Sequence, residues 1–444
     1  MPGPETIETY LETVEAQIRW KRARPVVLRE LRTHLEDQRA DFLAEGKDEM
    51  EAERLAVTEM GDPAAVGAEL DRLHRPKPQW GMLGITLILL LTGCWLRMWL
   101  TQSGAAWGLA IDPVRCALTA AMGGAALAGM YFLDVSRLLA CAKAVYLGAV
   151  LLGCLSLWLS PDVNNVSYYT RYVALFYPVV YALWLYACRG EGRRHLLSAA
   201  AGGVPLALIC LAAPFTQGLL LLGVTGGVLL LAAIRLGWYG TPRKRDSAAV
   251  CGLLLLLAGG LAWKVFGGAD GRERLQILLH PETDAAGAGF QGAMTRRVLD
   301  ASQWVGQGDW QALGSRYPLE RTLPEWNFDF FPTTMVYKLG WLPYLLVVLA
   351  LAGLLCWMVR RCLRQRDWAA GLLALAALLP LGLQTVFAVM LNLGFVAFSA
   401  QIPLLTGNLH SIVDCALLGA ALSVFRSETI LRDTAPPACG WAGA

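Results

Sequence analysis

Leu323-Pro324-Glu325-Trp326-Asn327-Phe328-Asp329-Phe330-Phe331 closes a long polar segment, residues 268–333, and leads directly into an apolar run. Two carboxylates four residues apart thus stand where the chain re-enters a hydrophobic bundle. An ionisable side chain at such a boundary is costly unless it is partnered or used, so Asp329 is the first functional candidate. To either side of this stretch the chain is mostly apolar: hydrophobic residues make up 56% of the 444 and charged residues only 16%. Leu-rich runs recur at lengths near the ~20 residues that a bilayer-spanning helix needs. The fold class is therefore an all-α polytopic membrane protein, ten transmembrane helices preceded by a small cytoplasmic helical domain.

The ten spans are expected at residues 82–100, 114–133, 138–159, 170–188, 196–214, 217–236, 248–267, 334–358, 368–388 and 403–425, within a transmembrane domain covering 81–430. With the amino terminus inside, the cytoplasmic turns carry Arg137, Arg189 with Arg193 and Arg194, Arg243-Lys244-Arg245, and Arg360-Arg361 with Arg364 and Arg366. Arg426 and Arg432 fall on the same side, so the tail, residues 431–444, is also cytoplasmic. This distribution follows the excess of Lys and Arg on cytoplasmic loops. The segments 101–112, 160–169 and 389–402 then face out together with 268–333. Loops beyond about fifteen residues are as a rule functional or disordered, and Trp304, Trp310 and Trp326 argue for order in the long one.

Residues 1–75 differ in kind. Ile7, Leu11, Val14 and Ile18 recur at helical spacing, Pro25 opens a second helix that Gly46 ends, a third runs over 48–60, and Gly61-Asp62-Pro63 is a stop, a cap and a restart. The linker 76–80 joins stiff prolines to Lys77 and Trp80, a composition suited to the headgroup region. A net charge of +3, with basic residues in short clusters, carries no nucleic-acid signature. Cys94, Cys116, Cys141, Cys154, Cys210, Cys251, Cys356 and Cys415 fall in or beside apolar runs and read as small buried hydrophobes, with no metal or redox spacing.

Arg274-Leu275 followed by His280-Pro281-Glu282-Thr283-Asp284-Ala285-Ala286-Gly287-Ala288-Gly289-Phe290-Gln291 resembles the tract R-x-x-x-x-x-P-E-x-D-x-x-G-x-G-Y-Q of the SEDS family (shape, elongation, division and sporulation; the RodA, FtsW and SpoVE kind). Leu323 to Phe330 looks like that family's L-P-E-x-x-T-D-F, Leu339-Gly340-Trp341 its L-G-F, and Ile402-Pro403-Leu404 its I-P-L. The resemblance spans about residues 80–430 and is carried mainly by 270–425. Separately, Lys21-Arg22-Ala23-Arg24-Pro25, His34-Leu35-Glu36-Asp37-Gln38 and Met60-Gly61-Asp62-Pro63 resemble the permease prefix domain found ahead of some bacterial membrane proteins.

The SEDS resemblance implies a protein of the bacterial cytoplasmic membrane that polymerises lipid II, the undecaprenyl-linked peptidoglycan precursor, at the outer face. A class B penicillin-binding protein, a transpeptidase, is the implied partner. Asp329 matches the family aspartate and would be the general base, with Glu325 one helical turn earlier as a second catalytic carboxylate or a ligand for a divalent cation. Arg274, Gln291, Arg296 and Arg297 are the candidate substrate-binding residues, since guanidinium groups grip phosphate in two places. The resemblance implies no certain cofactor, and a divalent cation at the two carboxylates is the one candidate. The rival reading of Asp329 is a helix cap ahead of the eighth span, and that of the arginines is solvated salt bridges.

The departures bear on function. The family lysine of G-K-G is Gln307, and after Ile402-Pro403-Leu404 the small-residue tract is replaced by Leu405-Thr406-Gly407-Asn408-Leu409-His410-Ser411. The family motif V-N-G-A-x-R-W has only an echo in Val163 to Tyr169. A non-catalytic regulator or scaffold of cell-wall enzymes is therefore the second reading. A transporter of lipid-linked precursor is the third, which the few intramembrane charges, Lys143, Lys264 and Asp414, do little to support.

Overall fold

The protein was analysed as a computed structural model that describes residues 6–102, 111–133, 135–163, 166–213, 215–309, 317–365, 367–405 and 409–428. Trp310, Arg316, Arg366, Thr406 to Asn408, Arg432 and the 431–444 tail lie outside the described residues, as does the side chain of Lys264. The chain divides into two compact units, one spanning Met1–Pro78 together with the segment from Phe425, the other spanning Gln79–Val424.

The first unit consists of helices Ile7–Gln17, Arg24–Ala44, Glu49–Met60 and Pro63–Leu73. Their starts are chemically marked: the Thr6 hydroxyl accepts from Thr9 N–H, Asp48 from Glu51 N–H, and Asp62 from Ala64 and Ala65 N–H. Gly46 and Gly61 end two of them with φ of 89° and 84°, a region that costs a residue with a Cβ. Tyr10, Leu11, Val14, Ile18, Val27 and Leu35 form the core, so the apolar stripe on the first helix is the buried one.

In the second unit, eight helices among the described residues are long and apolar enough to cross a membrane: Trp80–Thr101, Ala142–Leu159, Arg193–Ala212, Thr216–Arg235, Arg243–Trp263, Trp341–Leu363, Trp368–Asn392 and Leu409–Arg426. The other two expected positions are also helical. Pro113–Tyr131 is rich in Ala and Gly and hence less apolar, and the fourth position is split into Thr170–Ala174 and Tyr177–Ala187. A two-residue hairpin, Asp162–Val163 with Val166–Ser167, is the β-structure among the described residues.

Trp368–Asn392 runs through the centre, burying Ala370, Leu372, Ala374, Ala376, Ala377 and Leu381 against its neighbours. Small side chains let helix backbones approach closely where lipid supplies no hydrophobic drive. Gly93 shows the same need at one point: a Cβ there would stand 2.5 Å from the Leu404 carbonyl oxygen. Arg243–Phe266 is the opposite case and leaves Leu253, Leu255, Leu256, Leu257 and Trp263 exposed, as suits a helix that faces lipid.

The expected eighth span, residues 334–358, is corrected by the structure. The membrane-length helix begins at Trp341, and a separate helix, Phe331–Leu339, precedes it across Gly340 at φ 98°. The break is made by tertiary contact. Trp341 N–H donates to Gln303 C=O and Leu342 N–H to Trp304 C=O, both at 3.0 Å, and a Cβ on Gly340 would meet the Trp304 oxygen at 2.6 Å. The polar segment is ordered where described, with helices Gly268–Leu279 and Phe290–Asp300.

Candidate active site in residues 323–331

Residues 324–330 form successive turns, not the helical turn expected between Glu325 and Asp329. Glu325 sits in the left-handed region at φ 57°, and its carbonyl accepts from Phe328 N–H at 2.9 Å and Phe330 N–H at 3.1 Å. Such a conformation costs a non-glycine residue on the order of 1–2 kcal/mol and persists because surrounding packing over-determines it. Leu323, Trp326 and Phe330 supply that packing, buried with Met294, Val298, Leu319, Tyr337 and Leu391. The apolar side chains anchor the turn from below and leave Glu325 exposed.

Asn392, at the end of the central helix, ties the turn to the bundle. Its carbonyl oxygen accepts from Thr333 N–H at 2.9 Å and from the Thr333 hydroxyl at 2.7 Å. Its amide donates to Asp329 C=O at 3.0 Å and Ala388 C=O at 2.9 Å. All four bonding positions of a buried carboxamide are thus used, and Asn392 provides the cap that Phe330, the residue at the N-cap position, lacks.

The Asp329 carboxylate is therefore spared a capping role. It is half-buried, and it accepts from Gln401 Nε2 at 3.0 Å and from the Ser399 hydroxyl. Both partners come from the 389–402 segment. The helix-cap reading of Asp329 is overturned by this geometry, since its acceptors face side chains across the site and not the amides of the helix that follows.

Glu325 has its pKa raised above the ordinary glutamate value, first by partial desolvation and then by the negative charge of Asp329, with the Arg171 guanidinium opposing. A raised folded-state pKa means that stability is fully present below the ordinary value, about 4.3, and is lost as pH rises through the raised one. Glu325→Gln is accordingly expected to raise the unfolding temperature at pH 8 by a modest amount and to match the wild type near pH 4. Thermal scans of both proteins across that range check it.

The four candidate substrate-binding residues are placed elsewhere. Arg296 donates to Glu282 at 3.1 Å and to Leu279 C=O at 3.0 Å, and lies 5.0 Å from the Phe395 ring centroid. Here the salt-bridge reading holds. Glu282 in turn has a pKa below the ordinary value, chiefly through a backbone hydrogen bond and then through Arg296. Arg274 and Arg297 are exposed and Gln291 is half-buried. Among the described residues none of the four bonds to Glu325 or Asp329.

Other residues approach the carboxylates. Buried Arg97, in the first span, donates from Nε to Asn327 C=O at 3.1 Å and stacks 4.7 Å from the Phe328 centroid. Arg171 lies near enough to Glu325 to act on its charge. Lys338 pairs with Glu320 at 2.8 Å and donates to Leu100 C=O at 2.8 Å. A lone arginine in an apolar run was readable from sequence as a functional candidate; Ser399, Gln401 and Asn392 carry no comparable local signal.

A cavity of about 460 Å³ is lined by Trp99, Gln307, Leu319, Glu320, Tyr337 and Lys338 and includes neither Asp329 nor Glu325. Gln307 hydrogen-bonds Tyr337 there. Among the described residues no cluster of three or more His, Cys, Asp or Glu is placed to hold a metal ion, so a divalent cation would rest on Glu325, Asp329 and substrate oxygens. Asp414, buried in the last span, accepts from Leu404 N–H at 3.2 Å and so holds the I-P-L segment, where Leu404 has φ 66°.

No protein-family model matches the chain, and neither does any curated protein sequence. Its fold does have solved counterparts. A chain of a peptidoglycan synthase complex that coordinates polymerization and crosslinking aligns at a TM-score of 0.59 and 20% identity, over 79% of this chain and 98% of that one. The rod shape determining protein RodA of Thermus thermophilus aligns at a TM-score of 0.52 and 18% identity, over 79% and 97% of the two chains. A variant of the same RodA with an aspartate replaced by alanine gives 0.52 and 17%. The chain has the fold of these proteins.

Proposed function

We propose that the chain is a diverged SEDS-type protein that polymerises lipid II into glycan strands at the outer face of the bacterial cytoplasmic membrane. Asp329 accepts the proton as a sugar hydroxyl attacks the anomeric carbon of the growing strand. A C–O bond forms to the incoming sugar, the bond to the lipid diphosphate breaks, and the diphosphate leaves with the electron pair. The observation that carries this reading is the Asp329 carboxylate, turned away from any capping role and oriented by Gln401 and Ser399. General base chemistry requires a carboxylate positioned to reach the proton it takes, and these two donors position this one. The shared fold supports the same reading.

The likeness to a chain of a synthase complex supports a class B penicillin-binding protein as partner. Both termini lie in the cytoplasm in this scheme, and residues 1–75 form an accessory module on that side. A scaffold that organises cell-wall enzymes is the second reading, favoured by Gln307, which stands where the family has a cation and instead bonds Tyr337.

Purified full-length protein mixed with lipid II, with and without a class B penicillin-binding protein, separates the two. Glycan ladders on a gel are the expected product. Absence of polymer in both mixtures, with the partner still bound, would leave the scaffold reading in its place.

A further inference from the structure

Three other cations already have partners. Arg296 is held by Glu282, Lys338 by Glu320, and Arg97 by the Asn327 carbonyl and the Phe328 ring. Arg171 is different. Its guanidinium rests against two aromatic rings that are themselves edge to face, 4.6 Å from the Tyr168 centroid and 5.0 Å from that of Tyr172, and donates to the Tyr172 hydroxyl at 3.1 Å. No carboxylate lies within ion-pair distance of it among the described residues, and its buried Nε–H has no partner.

The mounting is rigid. Tyr172 packs edge-on against His410 with ring centroids 6.0 Å apart, and His410 Nε2 is 2.8 Å from Gln384 Oε1 in the central helix. A guanidinium held against aromatic rings loses little freedom on binding and keeps a planar fork for an anion. Arg171 nevertheless acts electrostatically on Glu325, beside Asp329. The start of the fourth span thus carries a cation with no carboxylate in ion-pair contact among the described residues, and that cation acts on the charge of Glu325.

We propose that Arg171 binds the diphosphate group of a polyprenyl-linked substrate beside Glu325 and Asp329. This rests on the lipid II reading above and names the residue that would hold the anionic end of that substrate. The same charge, developing further as the diphosphate leaves, is stabilised by a fixed cation that needs no reorganisation.

The test uses full-length protein in nanodiscs and three probes: a polyprenyl diphosphate, the matching polyprenol, and phosphatidylglycerol, each titrated against intrinsic tryptophan fluorescence. Arg171→Gln is expected to weaken the diphosphate lipid at least tenfold and to leave the other two unchanged, with Arg171→Lys intermediate. Unchanged diphosphate affinity in Arg171→Gln overturns the assignment. So does an equal loss for the polyprenol, which marks a folding role, or for phosphatidylglycerol, which marks a general headgroup site. Wild-type protein that ignores the diphosphate lipid overturns it as well. Wild-type protein that binds this lipid yet makes no polymer sinks the polymerase reading alone, and the Arg171→Gln comparison still decides this one.

Discussion

Asp329→Asn is expected to cut lipid II polymerisation by about 10²–10⁴-fold, the usual contribution of a positioned general base, with membrane level and unfolding temperature near those of the wild type. The separation of the two effects follows from the local bonding. An asparagine oxygen can still accept from Gln401 Nε2, and its amide can donate to the Ser399 hydroxyl, which rotates to accept. The backbone tie from Asn392 to the 329 carbonyl is untouched. Only proton-accepting capacity is lost. Polymer assays on the purified variant, paired with thermal scans, check this, and wild-type turnover by Asp329→Asn would remove the base from the mechanism.

Lys338→Met is expected to have the largest effect on stability. Lys338 and Glu320 pair at 2.8 Å with side chains only 14% and 7% exposed, and the Lys338 Nζ lies 5.2 Å from the Trp326 ring centroid. Taking the cation away removes one side of a buried ion pair, a change that typically costs about 3–5 kcal/mol. Adding Glu320→Leu should recover most of the loss, because replacing both charges by apolar groups is often close to neutral. Since the Phe331–Leu339 helix also carries Thr333, which bonds to Asn392, and Thr334, which bonds to Trp326 C=O, the single variant should loosen the Asp329 turn as well. Denaturant unfolding in detergent of the two single variants and the double variant measures the coupling. A single variant as stable as the wild type would show that the pair contributes nothing.

What could be read from the chain was local. Apolar runs near 20 residues long predict membrane helices because a buried backbone in lipid must satisfy its own hydrogen bonds within the segment. Each of the ten expected positions is helical, and Asp48 and Asp62 cap the helices that follow them. The pairing of Glu325 with Asp329 was visible as well, since a carboxylate at a membrane boundary stands out by its cost. The expected helical relation between the two was not correct. Pro324 and the left-handed Glu325 turn the chain, and the turn is paid out in the burial of Leu323, Trp326 and Phe330.

The candidate substrate cations do not bond to the carboxylate pair, for a similar reason. Arg274, Arg296 and Arg297 lie within the same polar segment as Asp329, and sequence proximity suggested one site, whereas Arg296 is spent on Glu282 and the Phe395 ring. Arg171 lies more than 150 residues before Glu325. Its two tyrosine neighbours hint at a mounted guanidinium, but nothing local says which carboxylates it will face.

The sequence by itself determined the membrane class, the helical positions, the capped helices of the amino-terminal segment and the identity of the carboxylate pair, because burial cost and backbone hydrogen bonding act over one element at a time. Tertiary structure alone decided that the helix breaks at Gly340, that Asn392 caps a helix 59 residues away, that Ser399 and Gln401 orient Asp329, and that Arg171 acts on the charge of Glu325. Each of these is a pairing of polar groups from distant segments, and such groups find their partners only when apolar packing has already brought the segments together.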